Sequence, residues 1–492
     1  MDLVVRQKDA VDLIIDCERA IAKELSQYFT FYVPNYQHTP AYKRKIWDGQ
    51  IRLFNLYNHT IYAGLLNYIQ KFAKDRNYSY EIDSEKLNEL DNSFVSLTQF
   101  NTFVTSLKLK LKPHPHQLTG CYHCINKNRA LLLSPTGSGK SLILYILVRY
   151  YLSDLGSKEK ILIVVPTIGL VNQLLNDFKD YTQDKWNVDN EVHTIFSGKD
   201  KKTMKKIVVS TWQSLYNMPK EYFDEFSVVF GDECHLFKSK SLVSLMTKLK
   251  NAHHRIGMTG TLDGTKTHKL VIEGLFGPIF NVTSTKNLID KKLLSDVQIE
   301  CITLLYDQSV CNENKRITYQ DEIKYLIGNE KRNKFISRLC LKLNGNSLVL
   351  FNFVESHGKI LHDMISDENE DKPIFFVHGG TDAHQREEIR KIVNGEKNAI
   401  LVASYGTCST GVNIPNIDNV IFASPSKSVI RVLQSIGRGL RKSKNNKITK
   451  IYDISDNMSY KSYKNHTFKH MDERIKIYNN ERFPYNMINI TI

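Results

Sequence analysis

Residues 134–141 combine the residue types that bind nucleotide phosphates, at the spacing that such binding needs. They read S-P-T-G-S-G-K-S, follow the apolar run 130–133 and precede a periodic apolar stretch. A buried strand, a glycine loop and a helix start in this order are typical of loops whose backbone N–H groups hold phosphate oxygens. Lys140 would reach the β- and γ-phosphates, and the Ser141 hydroxyl would ligate Mg²⁺. Ser134 stands where such loops usually begin with glycine, so the flanking strand and helix carry much of this interpretation.

An acidic pair follows a second apolar run. Residues 228–231 read V-V-F-G and lead directly to Asp232 and Glu233. Open α/β sheets bind ligands at the carboxyl edge of their strands, and two carboxylates there suit phosphoryl chemistry. Asp232 would hold Mg²⁺ through water, and Glu233 would polarise the attacking water. The alternative, a solvated acidic turn, is disfavoured when a phosphate loop precedes it in the same predicted sheet.

A basic segment near the end of the chain completes the set. Residues 434–441 read Q-S-I-G-R-G-L-R, and helical spacing would place Gln434, Arg438 and Arg441 on one face. Arginines on that face could neutralise transition-state charge as arginine fingers, an effect of about 10³–10⁵ in rate. Hydrolysis would then depend on closure of two domains. The alternatives are a basic surface helix and a helix that binds nucleic-acid phosphates; the order of the motifs favours the fingers.

The composition predicts a cytoplasmic protein with a polyanionic partner. Among 492 residues, 67 Lys+Arg against 52 Asp+Glu give a net charge of +15, which favours nucleic acid, with a lysine-rich solubilising surface as the alternative. The eight cysteines lack framework spacing, and Cys121 and Cys124 lack a second ligand pair for zinc. We find no leader-like apolar core at the start and no run near the ~20 apolar residues of a membrane helix.

The hydrophobic pattern predicts two α/β domains in tandem after a smaller α+β accessory domain. Apolar runs alternate with helical patterns in two blocks, which argues for two parallel sheets with crossover helices. The runs are 131–133, 161–165, 207–210, 228–230 and 255–258, then 348–351, 374–377, 400–402, 420–423 and 448–452. Residues 281–346 would join the blocks and contain one long helix, 319–343. The predicted domains are 1–108, 109–285 and 286–492.

In this order the motifs resemble those of the superfamily 2 DExH-box helicases, which have two RecA-like domains. The resemblance covers about residues 110–455: residues 232–235, D-E-C-H, match the DExH box, and residues 259–261, T-G-T, stand at the family's Ser-Ala-Thr motif. It implies ATP and Mg²⁺ as ligands. The further ATP-contacting residues that it implies are Gln117, which would read adenine, Thr136, Gly137, Ser138, Gly139 and Gly411. The nucleic-acid contacts that it implies are Pro166, Thr167, Thr211 and Thr407. Asn413 replaces an acidic residue common in the family, which puts an ATP-linked role for that side chain in doubt.

The first domain narrows the resemblance to the UvsW family of phage recombination and branch-migration DNA helicases. Residues 42–53, Y-K-R-K-I-W-D-G-Q-I-R-L, carry it. That family implies branched substrates: replication forks, Holliday junctions and R-loops, in recombination, replication and repair. Lys43, Arg44 and Lys45 could contact phosphates while neighbouring rings stack on bases, and Trp47 is expected in the core of this domain. Two further basic clusters, 199–206 and 442–450, could line the DNA path or be solvated.

We therefore interpret the chain as an ATP-dependent, DNA-stimulated helicase of the cytoplasm, the host cytoplasm if phage-encoded. Its expected partner is branched or forked duplex DNA, with RNA–DNA hybrids as a further substrate and no membrane. The rivals are an RNA helicase, a non-enzymatic DNA-binding module and the motor of a restriction complex. The motor motifs do not separate the first rival. Intact Lys140, Glu233 and Arg441 argue against the second, and the lack of a nuclease motif argues against the third.

Overall fold

The computed structural model describes residues 1–83, 94–183, 186–196, 200–262, 265–409, 416–424 and 448–492. They form two compact units, residues 1–134 with 139–282, and residues 135–138 with 283–492. Each unit contains one seven-stranded sheet. The predicted architecture, two RecA-like α/β domains after a small α+β domain, is confirmed. Within the described ranges, no helix combines the length and the apolarity that crossing a membrane requires.

Residues 1–83 form the small α+β domain. Its main sheet has the strand order β5-β2-β1-β6, and β3 pairs with β4 separately. The strands are Leu3–Gln7 (β1), Asp12–Cys17 (β2), Thr30–Tyr32 (β3), Gln50–Arg52 (β4), Thr60–Tyr62 (β5) and Tyr80–Asp83 (β6). Helices Arg19–Tyr28 and Leu66–Asp75 are amphipathic and bury their apolar stripes. A short helix, Pro40–Lys43, begins at the proline and is capped by the Thr39 hydroxyl.

The sheet of the first unit has the order β13-β7-β12-β11-β8-β10-β9. Its strands are Arg129–Leu133 (β7), Lys160–Val165 (β8), Val192–Ile195 (β9), Ile207–Thr211 (β10), Phe226–Gly231 (β11), His254–Thr259 (β12) and Ile279–Asn281 (β13). All neighbours pair in parallel, so their carboxyl ends share one edge. The predicted runs of the first block are confirmed as strands, and the pattern missed only the two edge strands, β9 and β13.

Helices flank this sheet; the first two precede β7, and the others lie on the connections between its strands. They are Leu97–Ser106, Pro115–Lys127, Lys140–Asp154, Ile168–Tyr181, Val188–Glu191, Trp212–Leu215, Lys240–Lys248 and Lys266–Phe276. The helix Lys140–Asp154 is apolar almost all round and buries residues on every side. A helix that is apolar on all sides must lie inside a domain. Burial of this helix therefore holds its first turn, where the phosphate loop ends, in a fixed position.

The accessory domain and the first sheet share one apolar core. A continuous cluster of buried side chains runs from Phe72 of the accessory domain to Phe276 of the α/β domain. Tyr68 OH donates to Glu273 Oε2 at 2.7 Å. A Cβ on Gly64 would lie 2.0 Å from the Glu273 carbonyl oxygen, so the close approach of the two backbones requires glycine. The accessory domain is therefore a packed part of the first unit.

The sheet of the second unit has the order β16-β17-β15-β18-β19-β14-β20, again all parallel. Its strands are Val297–Leu305 (β14), Ser347–Phe351 (β15), Ile374–Val377 (β16), Ile400–Ser404 (β17), Asn419–Phe422 (β18), Thr449–Asn457 (β19) and Tyr485–Thr491 (β20). The predicted runs of the second block are confirmed. The sequence pattern did not predict a strand in residues 281–346, which join the two blocks, yet β14 lies inside the sheet between β19 and β20.

The helices of the second unit are Thr285–Asp290, Gln308–Glu313, Tyr319–Gly328, Glu330–Lys342, Lys359–Asp367, Ala383–Gly395, Tyr405–Ser409 and His466–Glu481. The single long helix predicted over 319–343 is wrong. Asn329 is extended, and its side chain accepts the Arg332 N–H at 2.9 Å, which caps a second helix. Asparagine competes for backbone N–H groups in this way and therefore favours helix starts over helix interiors.

Candidate nucleotide and nucleic-acid sites

The phosphate loop follows β7 and ends in the first turn of the helix Lys140–Asp154. Gly137 and Gly139 have φ values of +83° and +82°, a region in which a side chain is strained. The helix start directs backbone N–H groups toward an anion. Lys140 Nζ donates to the Ser134 carbonyl oxygen at 3.1 Å, so the ammonium group lies against the loop whose ligand it would neutralise.

Gln117 is buried against the same loop. Its Oε1 accepts the His114 N–H at 2.8 Å, and its Nε2 donates to the Gly139 carbonyl oxygen at 3.4 Å. A Cβ on Gly139 would lie 2.1 Å from Gln117 Nε2, so a side chain at this position would be strained by its φ and would displace the Gln117 amide. The structure thus brings Gln117 to the phosphate loop, while its reading of adenine stays a prediction.

Ser141 makes a contact that the sequence does not reveal. Its Oγ lies 2.7 Å from the hydroxyl of Tyr181, the last residue of the helix Ile168–Tyr181. No motif marks Tyr181, and the partners, 40 positions apart in the sequence, share no pattern that pairs them. Sequence reasoning therefore missed this neighbour of the predicted Mg²⁺ ligand.

β11 carries Asp232 and Glu233 to the carboxyl edge of the sheet. Burial raises the pKa of Asp232 to about 6; the Glu233 carboxylate adds to the rise, and the Lys140 ammonium opposes it. A bound cation stabilises the charged form of an acid whose pKa is raised in this way. The oxygen donors of Ser141 and Asp232 are of the kind that Mg²⁺ prefers. These residues therefore fit the ion that the sequence predicts.

A side-chain contact joins the DExH segment to the T-G-T segment. His235 Nδ1 lies 3.3 Å from Glu233 Oε2 and 3.0 Å from Thr259 Oγ1. Thr259 Oγ1 in turn donates to the Thr261 carbonyl oxygen at 3.0 Å. Glu233, the predicted base, and the end of β12 are thus connected through the buried imidazole of His235.

The predicted nucleic-acid contacts of the first unit lie at the ends of neighbouring strands. Pro166 and Thr167 follow β8, and Thr211 ends β10, which pairs with β8. Thr167 caps the helix Ile168–Tyr181 by accepting the Leu170 N–H at 3.4 Å. The structure therefore brings these three residues to one edge of the sheet, and their contact with nucleic acid stays a prediction.

Thr407 lies in the second unit, just after β17. It is buried, and its Oγ1 lies 2.7 Å from Ser404 Oγ. The hydroxyl thus pairs within the chain at a strand end. Its predicted contact with a nucleic-acid backbone stays a prediction.

An open cavity of about 820 Å³, here named the accessory groove, lies on the accessory domain. It is lined by Gln37, Tyr42, Lys43, Lys45, Ile46, Trp47, Asp48 and Arg52. Arg44, which lies between Lys43 and Lys45 in the sequence, is exposed. Trp47 is half-buried, and its Nε1–H donates to the Gln50 carbonyl oxygen at 2.9 Å. The prediction of Trp47 as a core residue is therefore wrong, because its ring lines the accessory groove.

Aromatic rings extend from the accessory groove. Tyr36 stacks on Tyr32 with ring centroids 4.8 Å apart, and it meets Tyr42 edge-on at 4.7 Å. Tyr32 and Tyr42 are exposed. The groove therefore combines cations with accessible π-faces, the two features that bind unpaired or splayed nucleotides.

The basic cluster 199–206 is described from residue 200 onward, and its last two lysines have structural partners. Lys205 Nζ donates to the carbonyl oxygens of Asp189 and Val192, the latter at 3.2 Å. Lys206 Nζ donates to the Gly156 and Ser157 carbonyl oxygens, each at 2.6 Å. Both ammonium groups therefore bind backbone carbonyl oxygens of the same unit, and their contact with DNA stays a prediction.

Several predicted residues lie outside the described ranges. They are Gly411, Asn413, Gln434, Arg438 and Arg441, together with most of the basic cluster 442–450. Their roles, including the arginine fingers, stay predictions.

Family models match most of the chain. The model described as "DNA helicase UvsW, N-terminal" matches residues 2–83. The models "Type III restriction enzyme, res subunit" and "Helicase conserved C-terminal domain" match residues 108–264 and 330–443. The matches follow the order of the accessory domain and the two sheets.

Individual relatives agree with these models. The ATP-dependent DNA helicase uvsW of Enterobacteria phage T4 is 34% identical over 511 aligned residues, covering 100% of both proteins. The crystal structure of T4 UvsW matches with a TM-score of 0.53 and 32% identity over 100% of both chains. The DNA 3'-5' translocase XPB2 of Sulfurisphaera tokodaii is 24% identical over 68% of this chain and 80% of its own length.

Proposed function

The chain belongs to the UvsW family of ATP-dependent DNA helicases, and from this premise we propose that it remodels branched DNA. The observation that carries the proposal is the accessory groove, whose cations and exposed rings are built on a domain that shares its core with the ATP-binding sheet. Forks and R-loops present unpaired nucleotides at the branch, and Holliday junctions present strands that cross between duplex arms. A groove of this chemistry suits such ends, because aromatic stacking and phosphate neutralisation are both independent of base sequence.

We assign the phosphates of ATP to the loop at residues 134–141. Backbone N–H groups of residues 136–139 would hold the phosphate oxygens, and Lys140 would neutralise their charge. Glu233 would act as the general base toward the attacking water. The support for that role is its place at the carboxyl edge of β11, beside Asp232 and within 3.3 Å of His235.

Mg²⁺ would be held by Ser141 directly and by Asp232 through water. The ion supplies charge neutralisation at the phosphate oxygens. The raised pKa of the Asp232 carboxyl, caused first by burial and then by Glu233, supports this assignment. The charged form of the Asp232 carboxyl is disfavoured in the chain alone, and a bound cation would stabilise it.

The ATP site is tested by Lys140→Ala. Losing the positioned ammonium should reduce DNA-stimulated ATP hydrolysis by about 10²–10³-fold, the usual effect of removing one preorganised charge-stabilising group. Steady-state phosphate release measures the rate, and Lys158→Ala, at an exposed lysine of the same unit, is the control. Hydrolysis at the wild-type rate in Lys140→Ala would remove the site assignment.

The branched-DNA assignment is tested by changing Lys43, Arg44 and Lys45 together to alanine. If all three contact phosphates, the slope of log affinity against log salt for a fork should fall by about 2–3. The control changes Lys8, Lys71 and Lys74, exposed lysines of the same domain, and should keep the slope. Equal slopes in the two variants would contradict a role of the accessory groove in DNA binding.

The identity of the nucleic acid is tested by a panel of substrates. DNA forks, Holliday junctions, linear DNA, RNA–DNA hybrids and RNA duplexes are compared for unwinding at equal ATP. We expect branched DNA to be the best substrate. Unwinding of RNA duplexes without unwinding of DNA forks would overturn the assignment to DNA.

A further inference from the structure

Tyr181 and Ser141 meet at the point where the phosphate loop becomes a helix. Ser141 lies in the first turn of the helix Lys140–Asp154, and Tyr181 is the last residue of the helix Ile168–Tyr181. The Tyr181 hydroxyl lies 2.7 Å from Ser141 Oγ, a normal length for a hydrogen bond between hydroxyls. From this contact we propose that Tyr181 is a positioning residue that orients the Ser141 hydroxyl for binding of the Mg²⁺–nucleotide complex.

A serine hydroxyl has one proton to donate and two lone pairs with which to accept. A serine that ligates a cation uses a lone pair, so its proton must point away from the cation toward another acceptor. The Tyr181 oxygen lies at the distance of such an acceptor. Partners of this kind fix the orientation of metal ligands, and their loss commonly weakens metal binding by about 10–100-fold.

The chain holds the Tyr181 ring in place from two sides. The ring packs edge-on against Tyr145 with centroids 5.7 Å apart at 79°. The Tyr181 carbonyl oxygen accepts the Lys110 N–H at 3.1 Å. The helix that ends at Tyr181 is anchored by buried Val171 and Phe178. The hydroxyl therefore meets Ser141 from a fixed position, as a positioning residue must.

Tyr181→Phe tests the inference, which rests on the proposed assignment of Ser141 as a Mg²⁺ ligand. Phenylalanine keeps the ring contacts and removes only the hydroxyl. The readout is binding of a fluorescent, non-hydrolysable ATP analogue as Mg²⁺ is titrated. We expect the Mg²⁺ concentration at half-saturation to rise about 10-fold, while binding in the presence of EDTA stays unchanged. If binding of the analogue in EDTA also weakened about 10-fold, the proposal would be overturned, because the loop as a whole would then be damaged.

The control is Tyr145→Phe. The Tyr145 ring packs against Tyr181, and its hydroxyl accepts from Arg149 Nη1 at 2.8 Å. Removing that hydroxyl therefore also removes a hydrogen bond near Tyr181 but leaves the contact with Ser141 in place. We expect its Mg²⁺ dependence to match that of the wild type. An equal shift in both variants would assign the effect to general loosening of the fold and would overturn the proposal. Thermal unfolding of each variant shows that both are folded.

Ser141→Ala and the double variant Ser141→Ala/Tyr181→Phe separate this inference from the function on which it rests. If Tyr181 acts through Ser141, the double variant should bind Mg²⁺–nucleotide within about 2-fold of Ser141→Ala alone. Fully additive losses would overturn the positioning role. A loss in Ser141→Ala without one in Tyr181→Phe would overturn the role of Tyr181 and leave the Mg²⁺ site intact. No change in Ser141→Ala would refute the Mg²⁺ assignment itself and the inference with it.

Discussion

The two α/β sheets differ in how their buried acidic groups are compensated. In the first unit, burial raises the pKa of Asp232 to about 6, and the nearest carboxylate adds to that rise. In the second unit, two aspartates of β19 are paired with buried arginines. Arg332 Nε lies 2.8 Å from Asp456 Oδ1, and Arg474 Nη2 lies 2.8 Å from Asp453 Oδ1.

Tyrosine hydroxyls complete the pairs of the second unit. Tyr306 OH donates to Asp456 and Tyr478 OH donates to Asp453, each at 2.8 Å. Although burial alone would lower the pKa of Arg474, the Asp453 carboxylate raises it. Buried acids that are paired with arginines inside the chain have a structural role. An acid whose pKa is raised by a neighbouring carboxylate is instead typical of a functional site. Two units with the same sheet architecture thus differ: the aspartates of β19 are paired with arginines inside the chain, whereas Asp232 lies beside a second acid.

Glu233→Gln tests the functional half of this comparison and should have the largest effect. It keeps the shape of the side chain and removes the base, so kcat for ATP hydrolysis should fall by about 10²–10⁴-fold, while nucleotide binding is retained. Single-turnover hydrolysis and binding of a fluorescent analogue measure the two steps. Glu221→Gln, at an exposed glutamate of the same unit, is the control. Loss of binding together with turnover would contradict the role of a general base.

Asp456→Asn tests the structural half. It leaves the Arg332 guanidinium buried without a counter-charge, and breaking such a pair from one side destabilises by about 3–5 kcal/mol. Hydrogen exchange of peptides that cover β15 and β19 should speed up, while peptides of β8 and β11 should not change. Glu330→Gln breaks the exposed pair with Lys334 and should change exchange little, because exposed ion pairs contribute little. Equal effects of the two substitutions would remove the distinction between the units.

Asp232→Asn should act in the opposite direction to Asp456→Asn. It removes a carboxylate whose pKa stays raised from 3.8 to about 6 even though the Lys140 ammonium opposes the rise. The first unit should therefore become more stable by about 3 kcal/mol at pH 7–8 in the absence of nucleotide. Hydrogen exchange of β8 and β11 measures this gain. Mg²⁺-dependent nucleotide binding should fall in the same variant. A loss of stability would show that the carboxylate is compensated within the chain.

The gain in the free energy of unfolding in Asp232→Asn should depend on pH, and the raised pKa of Asp232 determines the direction of that dependence. The folded-state pKa of Asp232 is raised from 3.8 to about 6, so the stability favoured by its protonated form is present below about pH 4 and is lost as the pH rises through about 6. The difference between the variant and the wild type should therefore vanish below about pH 4. A difference that stays constant from pH 4 to pH 8 would exclude titration of Asp232 as its cause.

The sequence pattern predicted the inner strands well and the connections less well. Runs such as that in β8 are apolar throughout, which only a strand covered on both faces requires. β14 escaped because its place depends on β19 and β20, more than a hundred residues later in the chain. Asn329 ended a helix that periodicity alone would continue, and Trp47 lines the accessory groove because the small domain completes its core without it.

The phosphate loop, the acidic pair and the succession of two parallel sheets can be predicted from the sequence, because each depends on residues that are close along the chain. Which distant groups meet is visible only in the folded molecule. The fold placed the Tyr181 hydroxyl on Ser141, joined His235 to Thr259, and merged the accessory domain with the core of the first sheet. It also showed that the acids of β19 are paired and that Asp232 is not compensated in the same way. Such contacts depend on packing across the fold, and local spacing carries no record of them.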